Sequence, residues 1–418
     1  MERLALSMDA VWVMLCAVLV ISMQAGFALL EAGSTRMKNA GHVAGKQLLS
    51  FSMAGLAFWA VGYGLTFGEG NRWIGTTGWF LDLPPEGDSI PLEISFLFQL
   101  SFVAVSLAIV WGGFAERAKL GVYVLFGLLY TIVIYPVVGH WIWGGGWLSE
   151  LGKQDFAGST VVHLQGGVAA LVATWLLGPR IGKYNTNGTP HSLPGHNQVY
   201  TVLGVLVIWL GWFGFNPGST LSVQDGFFGY VALTTNLAAA AGGIGALATA
   251  RLRLGRADIP MMLNGVLAGL VAVTAACAFV ESWAAVVIGG IAGSLTVFTA
   301  QYFERKGIDD PIYAFSVHGV AGIWGTLSTG FFASPRLVEI TGVGQPGLLY
   351  GGGWTQLGVQ SLGVLASAIY VAVVSFVILR LLDRWMGLRV SKEEEVMGLD
   401  LSEHGAYGYP ELNSAEKM

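Results

Sequence analysis

The chain has 418 residues, 54% of them hydrophobic and 11% charged, with a net charge of −5. Soluble domains carry roughly 25% charged residues, so a chain this poor in charge, with a mean hydropathy of +0.63, cannot cover itself with polar surface. A soluble fold is excluded, and apolar runs of about 20 residues exclude a membrane barrel, whose strands alternate over about 10.

Eleven transmembrane helices are predicted in chain order, near 10–32, 48–68, 94–114, 121–141, 157–177, 198–216, 227–250, 261–280, 284–303, 311–332 and 355–382. The first begins so near Met1 that no removable leader is expected. Arg36, Lys38 and Lys46 follow the first span, and Arg117 and Lys119 the third. Arg180 and Lys183 follow the fifth, Arg251, Arg253 and Arg256 the seventh, Arg305 and Lys306 the ninth, and Arg384, Arg389 and Lys392 the last. The other side holds Arg3, Arg72, Lys153 and Arg336. The positive-inside rule then places the N-terminus outside and the C-terminus in the cytoplasm. Residues 1–385 are expected to form one membrane domain, and 386–418 a polar tail, partly disordered or docked on the cytoplasmic face. Cys16 and Cys277 lie in apolar spans and read as small core residues.

Two segments of the fifth and tenth spans are alike. "DFAGSTVVHLQGGVA" sets Asp155 eight positions before His163, and "DPIYAFSVHGVAG" sets Asp310 eight before His318. Five spans later the chain crosses in the opposite direction. The fold class expected is therefore all-α, with two inverted five-helix halves plus one extra helix, and a site near mid-depth where the halves meet. On a continuous helix each histidine would stand about 12 Å from its aspartate.

A lone buried histidine is usually a satisfied hydrogen-bonder between helices. Two at symmetry-related positions point to a substrate or proton path, because ionisable groups in a membrane are costly. A metal site is not expected, since two ligands do not complete one and no third lies at matching depth. Two neutral rings in contact offer a line of donors and acceptors suited to a small polar solute.

The aromatic segments "FQLSFVA" (98–104), "WIWGGGW" (141–147) and "GWFGFNPGS" (211–219) converge on the outer end, beside the hydroxyl of Ser219. Singly, such residues are ordinary interface anchors. Together they form a cup suited to a small cation, held by cation–π attraction. The segments "AGSTRMKN", "AERAKLG", "WGGGWL", "DFAGSTVVH", "GWFGFNPGS", "VHGVAGIWG" and "GLDLSEHG", in this order, resemble the ammonium transporter (Amt/Rh) family over residues 8–400.

The resemblance implies a homotrimer of eleven-span subunits in the cytoplasmic membrane, each with its own pore, and no cofactor. It implies that Trp143, Phe102 and Ser219 recruit ammonium, or methylammonium as its analogue. Phe102 and Phe215 would be stacked rings closing the outer mouth, and His163 and His318 the paired pore histidines. Asp155 would stand near the outer site, as a cap or loop anchor or in contact with the ion. Trimeric PII signalling proteins would dock on the cytoplasmic side. Leu30 and Glu31 stand where many members carry an aromatic pair; Glu31 would draw a cation to the exit or pair with a nearby base. The implied activity is ammonium transport and not catalysis. The alternatives are an ammonium sensor, which would append a signalling module, and an Rh-type neutral gas channel.

Overall fold

In lipid, backbone amides find no water, and a helix satisfies them within its own segment. The computed structural model, which describes residues 2–83 and 90–409, is accordingly built of helices. Among them are α1 (Glu2–Ser34), α2 (Ala40–Ala57), α3 (Leu92–Phe114), α4 (Leu120–Leu129, continued by Tyr135–Ile142), α5 (Gln165–Leu177) and α6 (Gln198–Phe215). Then come α7 (Phe227–Leu254), α8 (Ile259–Ala276), α9 (Ser282–Arg305), α10 (Ala321–Phe332) and α11 (Thr355–Met386). Two short helices, α12 (Lys392–Met397) and α13 (Leu399–His404), close the described chain. A hairpin pairing Gly70 with Gly75 and Asn71 with Ile74 follows the second span.

Ten helical runs among the described residues are long and apolar enough to cross a membrane. The predicted span 311–332 is not one of them, although it is helical from Phe315 to Phe332. Its Ser316, Thr326, Ser328 and Thr329 are buried against protein. A helix surrounded by other helices needs no apolar face toward lipid. The second span also starts earlier than predicted, at Ala40, so Lys46 lies within the helix and not in a loop.

The packing repeats across the two halves. Helix α1 lies against α3 as α6 lies against α8, and α3 packs on α5 as α8 packs on α10. Helices α1 and α6 run along each other, and α11 packs against both α5 and α10. At the junction a methyl group on Gly167 would stand 2.4 Å from the backbone nitrogen of Gly319. Glycine there lets the two histidine-bearing segments touch.

Each of those segments starts with a π-helical turn, Ser159–Leu164 before α5 and Phe315–Val320 before α10. Both precede their α-helix and both carry the histidine. Wide turns of this kind recur at functional sites. They also correct the 12 Å expectation, because Asp155 and Asp310 lie ahead of the helical runs and not on them.

Candidate functional site

The outer end, so named from its expected orientation, opens into a cavity of about 910 Å³ lined by Phe98, Phe102, Trp143, Phe156 and Ser219, with Glu69 and Asp82 also on its wall. Trp143 is half-buried at the end of the fourth span, and its indole N–H donates to the Asp155 carbonyl at 2.8 Å. That bond turns the ring edge toward the loop and fixes its face. The Ser219 hydroxyl donates to the Phe215 carbonyl at 2.9 Å, one turn back, so its oxygen lone pairs remain free to accept.

From Trp143 the rings continue inward as a column. Trp143 meets Phe102 edge to face at 5.8 Å, and Phe102 meets Phe215 at 4.2 Å. The phenyl planes are inclined by 41°, so they are tilted and not the stacked pair that the resemblance implied. Phe215 lies 5.6 Å from His163, and His163 lies 5.3 Å from His318 with the imidazoles nearly parallel. The two Nδ1 atoms are 3.2 Å apart. One of them must carry the hydrogen and the other the lone pair, so the neutral pair consists of two different tautomers. Both rings are buried. All seven residues singled out from the sequence thus gather along one line or beside it.

Asp155 stands beside the line. Its carboxylate accepts from the backbone N–H groups of Thr160, at 3.1 Å, and Val161, at 3.0 Å. Asp310 does the same for the second half, accepting from Phe315 N–H at 2.9 Å. Both are caps on the first turn of their histidine segment, where orphan amides need an acceptor. Burial pushes the Asp155 carboxyl above the usual carboxylate range.

Three groups escaped the sequence reading. Trp212 lies flat on His163 at 5.1 Å and 14°, and donates to Thr274 Oγ1 at 3.0 Å. It sits within "GWFGFNPGS", but no one-dimensional signal distinguishes it from its neighbours. Lys46 Nζ lies 3.1 Å from Glu31 Oε2, with both side chains buried. Of the two roles open to Glu31, pairing with a base is the one realised. Lys153, counted as an outer loop cation, is 3% exposed.

The inner end is ionic. Arg180 grips Asp309 with Nε on Oδ2 and Nη2 on Oδ1, both at 2.8 Å, and reaches Glu116 Oε1 with Nη1 at 2.8 Å. Glu116 also pairs with Arg36 and accepts from Asn39 Nδ2 at 3.1 Å. Burial works against the Glu116 charge, but Arg180 and Arg36 outweigh it and hold the carboxyl below its ordinary range. Asp309 is held low in the same way, by Arg180 and Arg117 against burial.

The tail covers this cluster. Asp400 accepts from His42 N–H at 2.7 Å and Gly41 N–H at 3.0 Å, and Leu399 N–H donates to Asn39 Oδ1 at 2.8 Å. Glu395 accepts from Ile181 N–H at 2.8 Å and pairs with Arg389, whose Nη1 donates to the Leu177 carbonyl at 2.9 Å.

Comparison with known proteins shows the family. The profile of the Ammonium Transporter Family matches residues 11–409. The chain is 45% identical to the ammonium transporter Amt2 of Archaeoglobus fulgidus over 428 aligned residues, covering 99% of this chain and 91% of the relative. It is 38% identical to the ammonium transporter of Bacillus subtilis, covering 96% and 98%. Among solved structures, a Sensor Amt Protein superposes with a TM-score of 0.91 at 36% identity, covering 97% of this chain and 100% of that one. Candida albicans Mep2 superposes at 0.87 and 32% identity, covering 97% and 92%. The chain belongs to the ammonium transporter family, a family of non-enzymatic, multi-pass membrane proteins that transport ammonium.

Proposed function

We propose that this protein carries ammonium across the cytoplasmic membrane, captures it at the outer cup and passes it inward as ammonia along His163 and His318. The supporting observation is the uncharged column from Trp143 through Phe102 and Phe215 to the imidazole pair. Asp155, eight positions before His163, accepts from the backbone amides of Thr160 and Val161 and so caps the histidine turn. A full charge at mid-bilayer costs from ~3 to more than 10 kcal/mol. A desolvated cation–π contact returns only ~2 kcal/mol. The ion is therefore stabilised at the aromatic face and gives its proton to water in the outer cavity before ammonia enters the lumen. The mixed-tautomer histidine pair then offers the neutral molecule a donor and an acceptor in turn.

The subunits assemble as homotrimers with the N-terminus outside and the tail, residues 386–418, in the cytoplasm. The tail regulates the membrane domain, residues 1–385, and takes part in docking a PII protein. A second reading, an ammonium sensor, is favoured by the likeness to the Sensor Amt Protein. Current on solid-supported membranes carrying the reconstituted chain, with parallel uptake in liposomes, separates them. Ammonium jumps should produce uptake that sodium jumps do not, and a sustained current would mean that the proton follows. Saturable ammonium binding without uptake would overturn transport in favour of sensing.

A further inference from the structure

Lys153 has a built environment that the path described above does not use. Its ammonium donates to Thr160 Oγ1 at 3.0 Å. Thr160 belongs to the π turn that carries His163. Its Oγ1 in turn lies 2.8 Å from Thr326 Oγ1 on α10, the helix that continues from His318. A cation donating to Thr160 Oγ1 occupies a lone pair and favours donation of the Thr160 proton to Thr326.

The stem of the lysine is accommodated as deliberately as its head. A methyl group on Gly363 of α11 would stand 2.4 Å from Lys153 Cε, so glycine leaves the notch in which the stem lies. The loop itself is already clamped without the lysine. Gln360 of α11 accepts from Gln154 N–H at 3.0 Å and donates to the Gln154 carbonyl at 2.6 Å. Burying a charge is costly unless it is paired and hydrogen-bonded; Thr160 and Asp155 offset that cost here, and holding the loop does not require the lysine.

We propose that Lys153 is a positioning residue for the histidine pair, fastening the start of the His163 turn to the His318 helix through Thr160 and Thr326. The proposal rests on the twin-histidine reading of the pore. Among the described residues Asp155 is the charged group that acts on Lys153. Thr160 and Gly363 lie against it and are neutral, as are Thr326 and Gln360 beyond them, while Asp155 in turn acts on Tyr135 and Cys277. Burial lowers the lysine to about 8. The charged ammonium grips the Thr160 oxygen well below that pH, and the neutral amine holds it more weakly above.

The test uses the full chain in liposomes and compares Lys153→Met, Lys153→Arg and Gly363→Ala with wild type at about pH 6.5 and about pH 9. Each flux is corrected for protein-free liposomes at the same pH and then taken relative to wild type, so ammonia leaking through lipid and the ionisation of ammonium drop out. Lys153→Met should fall about tenfold below wild type at the lower pH and come within about twofold at the higher. Lys153→Arg, which stays charged, should restore the lower-pH flux. Gly363→Ala keeps the lysine but displaces its stem; it should reproduce the pH-dependent loss, and it decides the matter if Lys153→Met does not assemble. A Met/wild-type ratio that does not change with pH, or an arginine variant no better than methionine, would overturn the proposal. His163→Ala is measured alongside. If it transports ammonium and rejects potassium like wild type, the histidine reading fails, whatever Lys153 does.

Discussion

At the outer end Asp155 caps the His163 turn beside an aromatic cavity; at the inner end Asp310 caps the His318 turn beside Arg36, Glu116, Arg180 and Asp309. The two ends share the cap, the π turn, the imidazole and the small residues that follow. What surrounds those parts differs completely. The outer surroundings are π faces, a hydroxyl and open volume, with Glu69 and Asp82 on the cavity wall and Lys153 buried near Asp155. The inner surroundings are ion pairs already satisfied by one another and covered by the tail. The repeated elements thus fix where the histidines meet, and the unrepeated ones decide what each end does.

The sharpest way to break the comparison is at the inner cluster. Arg180→Ala leaves Glu116 and Asp309 buried without their shared partner. Removing one member of a buried pair costs about 3–5 kcal/mol, so thermal unfolding of the purified variant should occur well below wild type. The same variant sharpens the pH argument. Glu116 and Asp309 are held below the ordinary carboxylate range, so their contribution is present above about pH 4 and is lost as pH falls through the lowered folded values. Acid should destabilise wild type more steeply than Arg180→Ala. Equal acid slopes would show that the cluster contributes little.

A smaller effect is expected at the outer cup. Trp143→Leu keeps bulk and removes the π face. With ~2 kcal/mol in the desolvated contact, apparent ammonium affinity should fall by roughly one to two factors of ten. Methylammonium should follow. A half-saturation value equal to wild type, at reduced protein yield, would make Trp143 an interface anchor instead.

The smallest effect belongs to the tail. Asp400→Ala removes a carboxylate that receives the His42 and Gly41 amides, a cap-like contact worth about 1 kcal/mol. Hydrogen exchange in residues 391–409 should rise, with α3, α5 and α10 unchanged. Protection equal to wild type would place the docking energy elsewhere, with Glu395 and Arg389 the next contacts to remove.

The fold was legible where lipid dictates composition. The long apolar runs announced nearly every helix, and the matching Asp155–His163 and Asp310–His318 spacings announced the inverted halves. The candidate site was legible as a set of residues that the fold brings together, because imidazole and indole in apolar runs are chemically conspicuous. Its geometry was not. The π turns, the 41° tilt of Phe102 against Phe215 and the pairing of Lys46 with Glu31 depend on neighbours far away in sequence. The span 311–332 is helical from Phe315 to Phe332 but falls outside the ten strongly apolar runs, because that helix packs chiefly against protein. Trp212 and Lys153 were passed over for a related reason: an indole in a membrane span and a lysine in a loop each have a commonplace explanation until burial is known.

The central claim is that two imidazoles in contact make the lumen selective for ammonia. Its most direct test is parallel ammonium and potassium flux through His163→Ala and His318→Ala in the same liposomes, beside wild type. Both variants should assemble and fold, and both should lose ammonium flux or admit potassium. Wild-type ammonium rates with unchanged rejection of potassium in both variants would contradict the claim and reduce the pair to a structural contact between two helices.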